Sequence, residues 1–340
     1  MDSQSKQSPA SGSSRRDLLA KIGTLAAVSG AATGANAAPL GPMPMVRIGK
    51  HMVSRLIMGV NTIGGGGHLS RMVDIELTAW HTPQQMVKIW KHCEELGVNC
   101  MVQAGDRIAK YNAENGGKML FCGSGILTMA ADGNIRESMK SVKAMAALGP
   151  IGIHHAGYGE TGTDAMWRKG QLNKVREYCK MVRDTGVLVA VTSHRPEVFK
   201  EIESQDWDVD YYMPCLYKYG RTQAEWERSF ADNPGMMPAE IYHTKEGNSP
   251  NYGGETAFVR GDPAEMFPVI KTTKKPCFVY KILASGRLCE KPDVVERTFK
   301  ETFENIKPTD AVVVGMWDKW EDQYAINAEY VRRFGQTTAT

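Results

Sequence analysis

The chain has 340 residues, of which 42% are hydrophobic and 23% are charged, and its formal net charge is +3. This length suits one large α/β domain or two small ones, and the composition is typical of a globular protein. So small a net charge, without any lysine- or arginine-rich run, argues against a nucleic-acid partner. The seven cysteines are scattered, odd in number and without a C-x-x-C pair. A disulfide framework or a cysteine-built zinc site is therefore not expected.

Residues 1–38 have the features of an export signal. An arginine pair (Arg15, Arg16) precedes an Ala/Gly-rich apolar run, and the segment ANA at 35–37 fits the small-x-small cleavage pattern. The run is too short to span a membrane. The arginine pair resembles a bacterial twin-arginine signal, with an ordinary secretory signal as the alternative. We therefore predict a mature protein that begins near Ala38, has no membrane span and is exported to the periplasm or another extracytoplasmic location.

After this segment, short apolar runs alternate with helical patterns. The predicted strands are 56–61, 98–102, 119–122, 150–154, 187–192, 209–214, 276–282 and 311–315. The predicted helices are 82–96, 135–148, 171–185, 196–204, 292–306 and 320–334. Strands that alternate with helices indicate a parallel sheet. Eight such units in roughly 250–300 residues are typical of a (β/α)₈ TIM barrel, and a doubly wound open sheet is the alternative.

Residues 218–260 interrupt this alternation. They are rich in Pro, Gly, Asn and aromatic residues. We predict an insertion after the sixth strand of a single barrel domain that covers residues 46–334. Long ordered loops of this kind often serve as lids or binding loops.

Several segments resemble the aldo-keto reductases. They are GKHMVSRLIMGVNTIGGG from Gly49, GVNCMVQAG at 97–105, GVLVAVTSHRPEVFKEI at 186–202, VYKILASGRL at 279–288 and AVVVGMWDKWEDQYAIN at 311–327. The resemblance runs from about Val46 to about Phe334 and implies an aldo-keto reductase-like barrel. It also implies NADP(H) as cofactor and a catalytic tetrad of Asp, Tyr, Lys and His. In that tetrad the tyrosine protonates a carbonyl oxygen while hydride reaches the carbon.

Carried over residue by residue, the resemblance keeps one member of the tetrad, a histidine at His154 or His155. The second strand offers no carboxylate before Asp106, and the tyrosine candidate is Tyr111, further along the chain. The segment FCG at 121–123 stands where the family has its lysine. The resemblance therefore implies a barrel with a degenerate tetrad.

The resemblance also implies residues for the cofactor. Gln323 lies near the family's cofactor clamp, and Lys319 is the basic partner for a 2′-phosphate. Lys281 and Arg287 follow the seventh strand, at the end of a barrel where phosphates bind. These four residues are the predicted NADP(H) contacts.

In a barrel the active site lies at the C-terminal ends of the strands. His154, His155 and His194 all fall at such ends, and together with Tyr111 they are the predicted catalytic residues. Successive strand residues point to opposite sides, so only one of the adjacent histidines faces the barrel mouth. We predict that this is His155 and that His154 packs against helices.

Imidazoles together with a carboxylate at the mouth suit a divalent metal. The predicted ligands are His155, His194 and Glu160, with Asp106 and Asp318 as alternative carboxylates. A metal in this place would polarise a hydroxyl or carbonyl group while a base moves a proton.

Three functions therefore stay open. The first is an NADP(H)-dependent oxidoreductase with an atypical site, acting on a sugar-like or small carbonyl substrate. The second is a cofactor-free or metal-dependent isomerase, epimerase or lyase that acts on a sugar-like substrate. The third is a non-catalytic carbohydrate-binding barrel. Each has a small-molecule partner, whose identity depends on the loops rather than on the fold.

Overall fold

A computed structural model describes residues 41–232 and 258–336 of the chain. The predicted export signal at 1–38 and residues 233–257 of the predicted insertion lie outside the described residues. Among the residues that are described, no helix is both long and apolar enough to cross a membrane. All seven cysteines are free thiols, six of them buried, with Cys289 exposed.

A β-hairpin precedes the barrel. Strands β1 (Met45–Ile48) and β2 (His51–Ser54) pair antiparallel across a two-residue turn. Gly49 occupies the first position of that turn with φ 56°, a conformation that glycine adopts without a steric penalty. The apolar side chains of the hairpin pack into the bottom of the barrel interior. The hairpin thus closes the barrel at the N-terminal ends of its strands.

Eight parallel strands form the barrel. They are β3 (Leu56–Met58), β4 (Cys100–Val102), β5 (Leu120–Gly125), β6 (Gly152–His155), β7 (Leu188–Ser193), β8 (Tyr211–Pro214), β9 (Phe278–Tyr280) and β10 (Ala311–Val314). Their order in the sheet is β8-β7-β6-β5-β4-β3-β10-β9. Isolated parallel bridges from Tyr212 to Cys277 and from Cys215 to Tyr280 join β8 to β9 and nearly close the ring. The predicted (β/α)₈ barrel is confirmed, and the open sheet is excluded.

Helices surround this barrel. They are α1 (Arg71–Trp80), α2 (Pro83–Glu95), α3 (Gly105–Asn115), α4 (Ser138–Ala146), α5 (Thr163–Arg168), α6 (Leu172–Arg183), α7 (Pro196–Ser204), α8 (Gln223–Asp232), α9 (Asp262–Thr272), α10 (Pro292–Asn305) and α11 (Gln323–Phe334). A 3₁₀ turn at Ala284–Gly286 follows β9. Helix α8 lies in the first part of the predicted insertion.

The hydrophobic core has two parts, one on each side of the strands. The inner part fills the barrel and includes Ile57, Cys122, Ala190, Phe278 and Ala311. The outer part lies between the strands and the helices and includes Val191, Tyr178 and Phe199. Because side chains alternate along a strand, membership of one part or the other shows which residues face the interior. That alternation decides which side chains reach the mouth.

Candidate functional site

A cavity of about 600 Å³ opens at the C-terminal ends of the barrel strands. Its volume is typical of a site for a small ligand. The residues that line it lie on or directly after seven of the eight strands and include Asn61, Gln103, His154, Thr192, His194, Tyr280, Lys281 and Trp317. None of the described residues that line it is an aspartate or a glutamate.

The adjacent histidines of β6 lie on opposite sides of the barrel wall. His154 pairs in register with Ala190 of the inner core, and it lines the cavity. His155 pairs with Val191 of the outer core. Its ring lies 4.9 Å from that of Tyr178, and its Nδ1 lies 2.8 Å from Oγ1 of Thr163. The prediction that His155 faces the mouth is therefore wrong, and His154 is the histidine that does so.

A hydrogen-bonded chain leads from a buried carboxylate to the cavity. Nδ1 of His194 lies 2.6 Å from Oδ2 of Asp164, at the start of α5, and its Nε2 lies 2.9 Å from Oη of Tyr280. Since the carboxylate accepts the Nδ1 proton, Nε2 of a neutral His194 accepts from the Tyr280 hydroxyl. Asp164 also accepts hydrogen bonds from the hydroxyl of Ser193 and from the backbone N–H of His194. The imidazole is thereby held in one orientation.

Lys281 lies beside this chain, directly after β9. Its ammonium group contacts the hydroxyl of Tyr219 and lies 3.4 Å from Nε2 of His68. The Tyr219 ring stacks on the ring of His194, with 4.0 Å between centroids and 11° between planes. Lysine, histidine and two tyrosines are thus in one cluster, although they come from segments far apart in the chain.

Burial changes the proton affinity of these groups. It lowers the pKa of Lys281 to about 8, with a further decrease from the positive charge of Arg287. Burial lowers the pKa of His154 to about 3, and that of His68 to about 3 with help from Lys281. The pKa of His194 is also lowered by burial, against the opposing effect of Asp164. At neutral pH the histidines are neutral and the lysine is close to its titration range.

Four residues at the mouth have a left-handed backbone although none is a glycine. They are His68, Gln103, Lys281 and Ser285, with φ between 50° and 68°. All four line the cavity. Such conformations cost of order 1–3 kcal/mol each and cluster at functional sites. The strained backbone positions therefore lie at the same cavity as the cluster of polar side chains.

Buried polar atoms without a hydrogen-bond partner also gather here. Within the described chain these include Oγ1 of Thr62, Nδ1 of His154, Oγ1 of Thr192 and Nε1 of Trp317, and all four residues line the cavity. Buried polar groups in proteins are nearly always paired. These atoms are therefore suited to a polar ligand.

Several predicted site residues do not belong to this cavity. Tyr111 lies in the outer core, where its hydroxyl donates to Oε2 of Glu94 at 2.6 Å and its ring lies 5.2 Å from that of Trp90. The predicted metal ligands do not meet either, because His155 faces the outer core and Glu160 is not among the residues that line the cavity. In the described parts of the chain, no three His, Cys, Asp or Glu side chains are grouped so as to hold a metal ion.

The four predicted cofactor residues lie near the ends of β9 and β10, and each already has a partner within the chain. Lys319 forms an ion pair with Glu76, and Oε1 of Gln323 accepts from the Trp317 backbone N–H at 2.9 Å. Lys281 lines the cavity, as described above. Nη2 of Arg287 donates to the backbone oxygen of His68 at 3.0 Å.

Sequence reasoning missed Asp164, Tyr219 and Tyr280. Tyr280 lies within the predicted strand 276–282, two residues after Phe278, so alternation along the strand predicts that it faces inward. Asp164 belongs to a six-residue helix, and Tyr219 follows β8 in the predicted insertion. Neither has a local pattern that would single it out.

No protein-family model and no curated protein matches this chain. Solved structures with a similar fold include a Pseudomonas aeruginosa protein assigned to the aldo-keto reductases, at 13% identity and a TM-score of 0.48, covering 85% of this chain and 94% of that one. Another is a glycerol dehydrogenase from Gluconobacter oxydans, at 13% identity and a TM-score of 0.45, covering 86% and 97%. A third is a 3-deoxy-D-arabino-heptulosonate 7-phosphate synthase from Thermotoga maritima, at 9% identity and a TM-score of 0.44, covering 87% and 90%. Likenesses this distant concern the fold alone.

Proposed function

We propose that this chain is an aldo-keto reductase-like barrel enzyme that interconverts a hydroxyl and a carbonyl group on a small, sugar-like substrate, with NADP(H) as hydride carrier. The observation that carries the proposal is the Asp164–His194–Tyr280 chain beside Lys281 at the cavity. It brings together a tyrosine, a lysine, a histidine and an aspartate, the residue types of the reductase tetrad, from other positions in the barrel.

Tyr280 is the proposed general acid and base. When a substrate hydroxyl gives its proton to Tyr280, Tyr280 passes its own proton to Nε2 of His194, and Asp164 stabilises the resulting imidazolium. The positive charge of Lys281 stabilises negative charge on the tyrosine oxygen and on the substrate oxygen. His154, neutral and inward-facing, is the proposed donor that orients the carbonyl.

The residues around the cavity fit a nicotinamide cofactor in part. Lys281 and Arg287 provide positive charge, and the orphaned Nε1 of Trp317 and Oγ1 of Thr62 provide polar atoms on the same side of the mouth. When bound, the cofactor would supply or accept the hydride.

The experiment is a titration with NADPH followed by fluorescence, and an absorbance assay of NADPH oxidation with short sugar aldehydes such as glyceraldehyde and erythrose. Tyr280→Phe is expected to lower kcat by about 10²–10⁴-fold, because a positioned acid or base contributes that much. Tyr111→Phe is the matched control, since it removes a buried tyrosine hydroxyl on the outer side of the barrel. Absence of both a fluorescence change and turnover would exclude the oxidoreductase.

One observation favours a second candidate, a cofactor-independent sugar isomerase, epimerase or lyase. Lys319 and Gln323, two of the predicted cofactor contacts, are already held by Glu76 and by the Trp317 backbone. The proton-transfer groups suffice for such reactions without a hydride carrier. Product formation from a ketose or aldose without NADP(H), unaffected by a chelator, would support this candidate. Sugar binding without turnover in either assay would instead support a non-catalytic carbohydrate-binding barrel.

We also propose export of the folded chain through a twin-arginine signal at residues 1–38. A fusion of this segment to a reporter that is active only after export tests it. Replacing Arg15 and Arg16 together by lysine is expected to abolish export. Unchanged export in that variant would indicate an ordinary secretory signal.

A further inference from the structure

We propose that Lys281 is a nucleophile that forms an imine with the carbonyl carbon of a hydroxy-ketone or hydroxy-aldehyde bound in the cavity. The inference depends on the proposed binding of a carbonyl substrate in this cavity, but not on NADP(H).

The position of Lys281 is the first argument. It directly follows β9, at the C-terminal end of the barrel, and its side chain is partly buried where it lines the cavity. Its backbone has φ 62°, a conformation that costs of order 1–3 kcal/mol for a residue with a side chain. The fold therefore holds this amine at the wall of the cavity at a cost in folding free energy.

The surroundings of Lys281 are the second argument. Its Nζ lies 4.3 Å from the ring centroid of Tyr219 and 5.5 Å from that of Phe258. Burial, with the positive charge of Arg287, brings the pKa of Lys281 to about 8. A lysine attacks a carbonyl only as the neutral amine, and desolvation beside another cation is how proteins produce it.

Groups that can move protons lie within reach of the amine. The hydroxyl of Tyr219 contacts Nζ, and Nε2 of His68 lies 3.4 Å from it. On the other side, Tyr280 connects the cavity to His194 and Asp164. Imine formation needs a proton on the carbonyl oxygen and another on the departing hydroxyl, and both can come from this cluster.

The step balances without a further reactant. The nitrogen lone pair forms the C–N bond, the carbonyl π pair moves to oxygen, and a tyrosine hydroxyl protonates that oxygen. The nitrogen then gives one proton to the tyrosinate, which yields a carbinolamine. The tyrosine then protonates the carbinolamine hydroxyl, water departs as the nitrogen lone pair forms the C=N bond, and the iminium nitrogen returns its proton to the tyrosinate. Amine and carbonyl compound thus become imine and water, with no oxidant or reductant.

The unpaired polar atoms indicate hydroxyl groups next to the carbonyl. His154 and Thr192 lie on β6 and β7, whereas Thr62 and Trp317 follow β3 and β10 on the opposite wall of the ring. A ligand that satisfies atoms on both walls must carry polar groups on both sides of the carbon that faces Lys281.

The experiment incubates the full chain with dihydroxyacetone and borohydride, without NADP(H), and maps adducts by mass spectrometry of peptides. Borohydride reduces an imine to a stable secondary amine. We expect one adduct, at Lys281, with an occupancy at least about tenfold above that of Lys319, the lysine at the rim that is paired with Glu76. Lys281→Arg, checked for folding by circular dichroism, is expected to lose it.

An equal occupancy on Lys281 and Lys319, or no adduct on Lys281, would overturn the proposal. The comparison within the wild-type chain decides this even if the arginine variant fails to fold. Failure of NADPH binding would overturn the proposed oxidoreductase and leave the trapping result intact, so the two failures are distinguishable.

Discussion

At the scale of single residues, neighbours of identical chemistry have different roles because a strand points them in opposite directions. His154 is 3% exposed and faces the cavity, whereas His155 is completely buried between β6 and the outer helices. The same alternation brings Tyr280 to the mouth, where its hydroxyl meets Nε2 of His194.

The histidine pair gives the first prediction. His154→Gln is expected to lower kcat/KM of the proposed reaction by about 10²-fold with little change in the free energy of unfolding, because its ring meets the cavity. His155→Gln is expected to lower the free energy of unfolding by about 1–3 kcal/mol, since its contacts with Tyr178 and Thr163 are lost. Urea denaturation and the absorbance assay measure both. Loss of activity in a stable His155→Gln variant would contradict this assignment.

Lys281 gives a prediction on stability and pH. The pKa of Lys281 is 10.5 in the unfolded chain and about 8 in the folded chain. Below pH 8 both states bind the proton, and burial of the charge lowers the free energy of unfolding. Between pH 8 and about pH 10.5 only the unfolded chain binds the proton, so this destabilisation decreases with pH and is absent above that range. The decrease of about 2.5 pKa units corresponds to about 3.5 kcal/mol. Less about 1 kcal/mol for a lost hydrogen bond, Lys281→Met should be about 2–3 kcal/mol more stable than the wild type at pH 7. Urea denaturation at pH 7 and pH 9.5 should show that advantage shrinking; a pH-independent difference would contradict it.

At the scale of elements, the segment after β8 is clamped to α9. The backbone N–H of Lys218 donates to Oδ2 of Asp262 at 3.0 Å, and Arg221 forms an ion pair with the other carboxylate oxygen. Both residues of the pair are buried, with Arg221 7% and Asp262 5% exposed. Tyr219 lies between the two anchored residues, so the clamp holds its ring against His194.

The clamp gives the third prediction. Asp262→Asn leaves the buried Arg221 without its charge partner in the clamp, and breaking such a pair typically costs about 3–5 kcal/mol. We expect faster amide hydrogen exchange at 215–222 and a lower kcat, as measured by mass spectrometry and by the absorbance assay. Glu265→Gln is the control, because the Glu265 side chain is 56% exposed and its buried partner Lys218 keeps two other carboxylates within 4 Å. Its loss should therefore cost less than about 1 kcal/mol. Equal effects of the two variants would show that the clamp does not position Tyr219.

At the scale of the whole molecule, Arg55 ties the start of the barrel to its end. Its guanidinium donates to the backbone oxygens of Asp310 at 2.7 Å, Gly335 at 2.8 Å and Lys307 at 2.9 Å. It also lies 4.7 Å above the ring of Phe303. These contacts hold β3 against the segments on either side of β10, where the first and last strands of the barrel pair.

Arg55 gives the fourth prediction. Arg55→Lys is expected to lower the free energy of unfolding by about 2–4 kcal/mol, because a lysine cannot donate in the same plane to three carbonyls. Arg47→Lys on the exposed side of β1 is the control and should change it by less than about 0.5 kcal/mol. Guanidinium denaturation compares the two. A loss below 1 kcal/mol would mean that strand pairing alone holds the ends together.

Helices α1 and α3 are not predicted from the sequence, and each shows why local patterns can fail to indicate a helix. Helix α1 buries only Leu77 fully, and Met72 and Ile75 are exposed, so its apolar residues are spread over more than one face. Helix α3 begins after Ala104, a residue with φ 58° and no capping side chain, so it has no start signal. The eight strands, in contrast, are short apolar runs with turn residues or helices on either side, and all eight were predicted.

Eight strands and six helices can be predicted from local patterns in the sequence, and with them the barrel and the end at which its cavity lies, because each of these elements depends on residues close together in the chain. Which side chains meet at that end depends on the tertiary structure. Asp164, His194 and Tyr280 come from three different segments. Their contact depends on the strand register and on which residues of each strand point toward the barrel axis. The same alternation places His154 rather than His155 at the mouth. When both sides of a strand are buried, its apolar run does not show which of two adjacent residues points into the barrel.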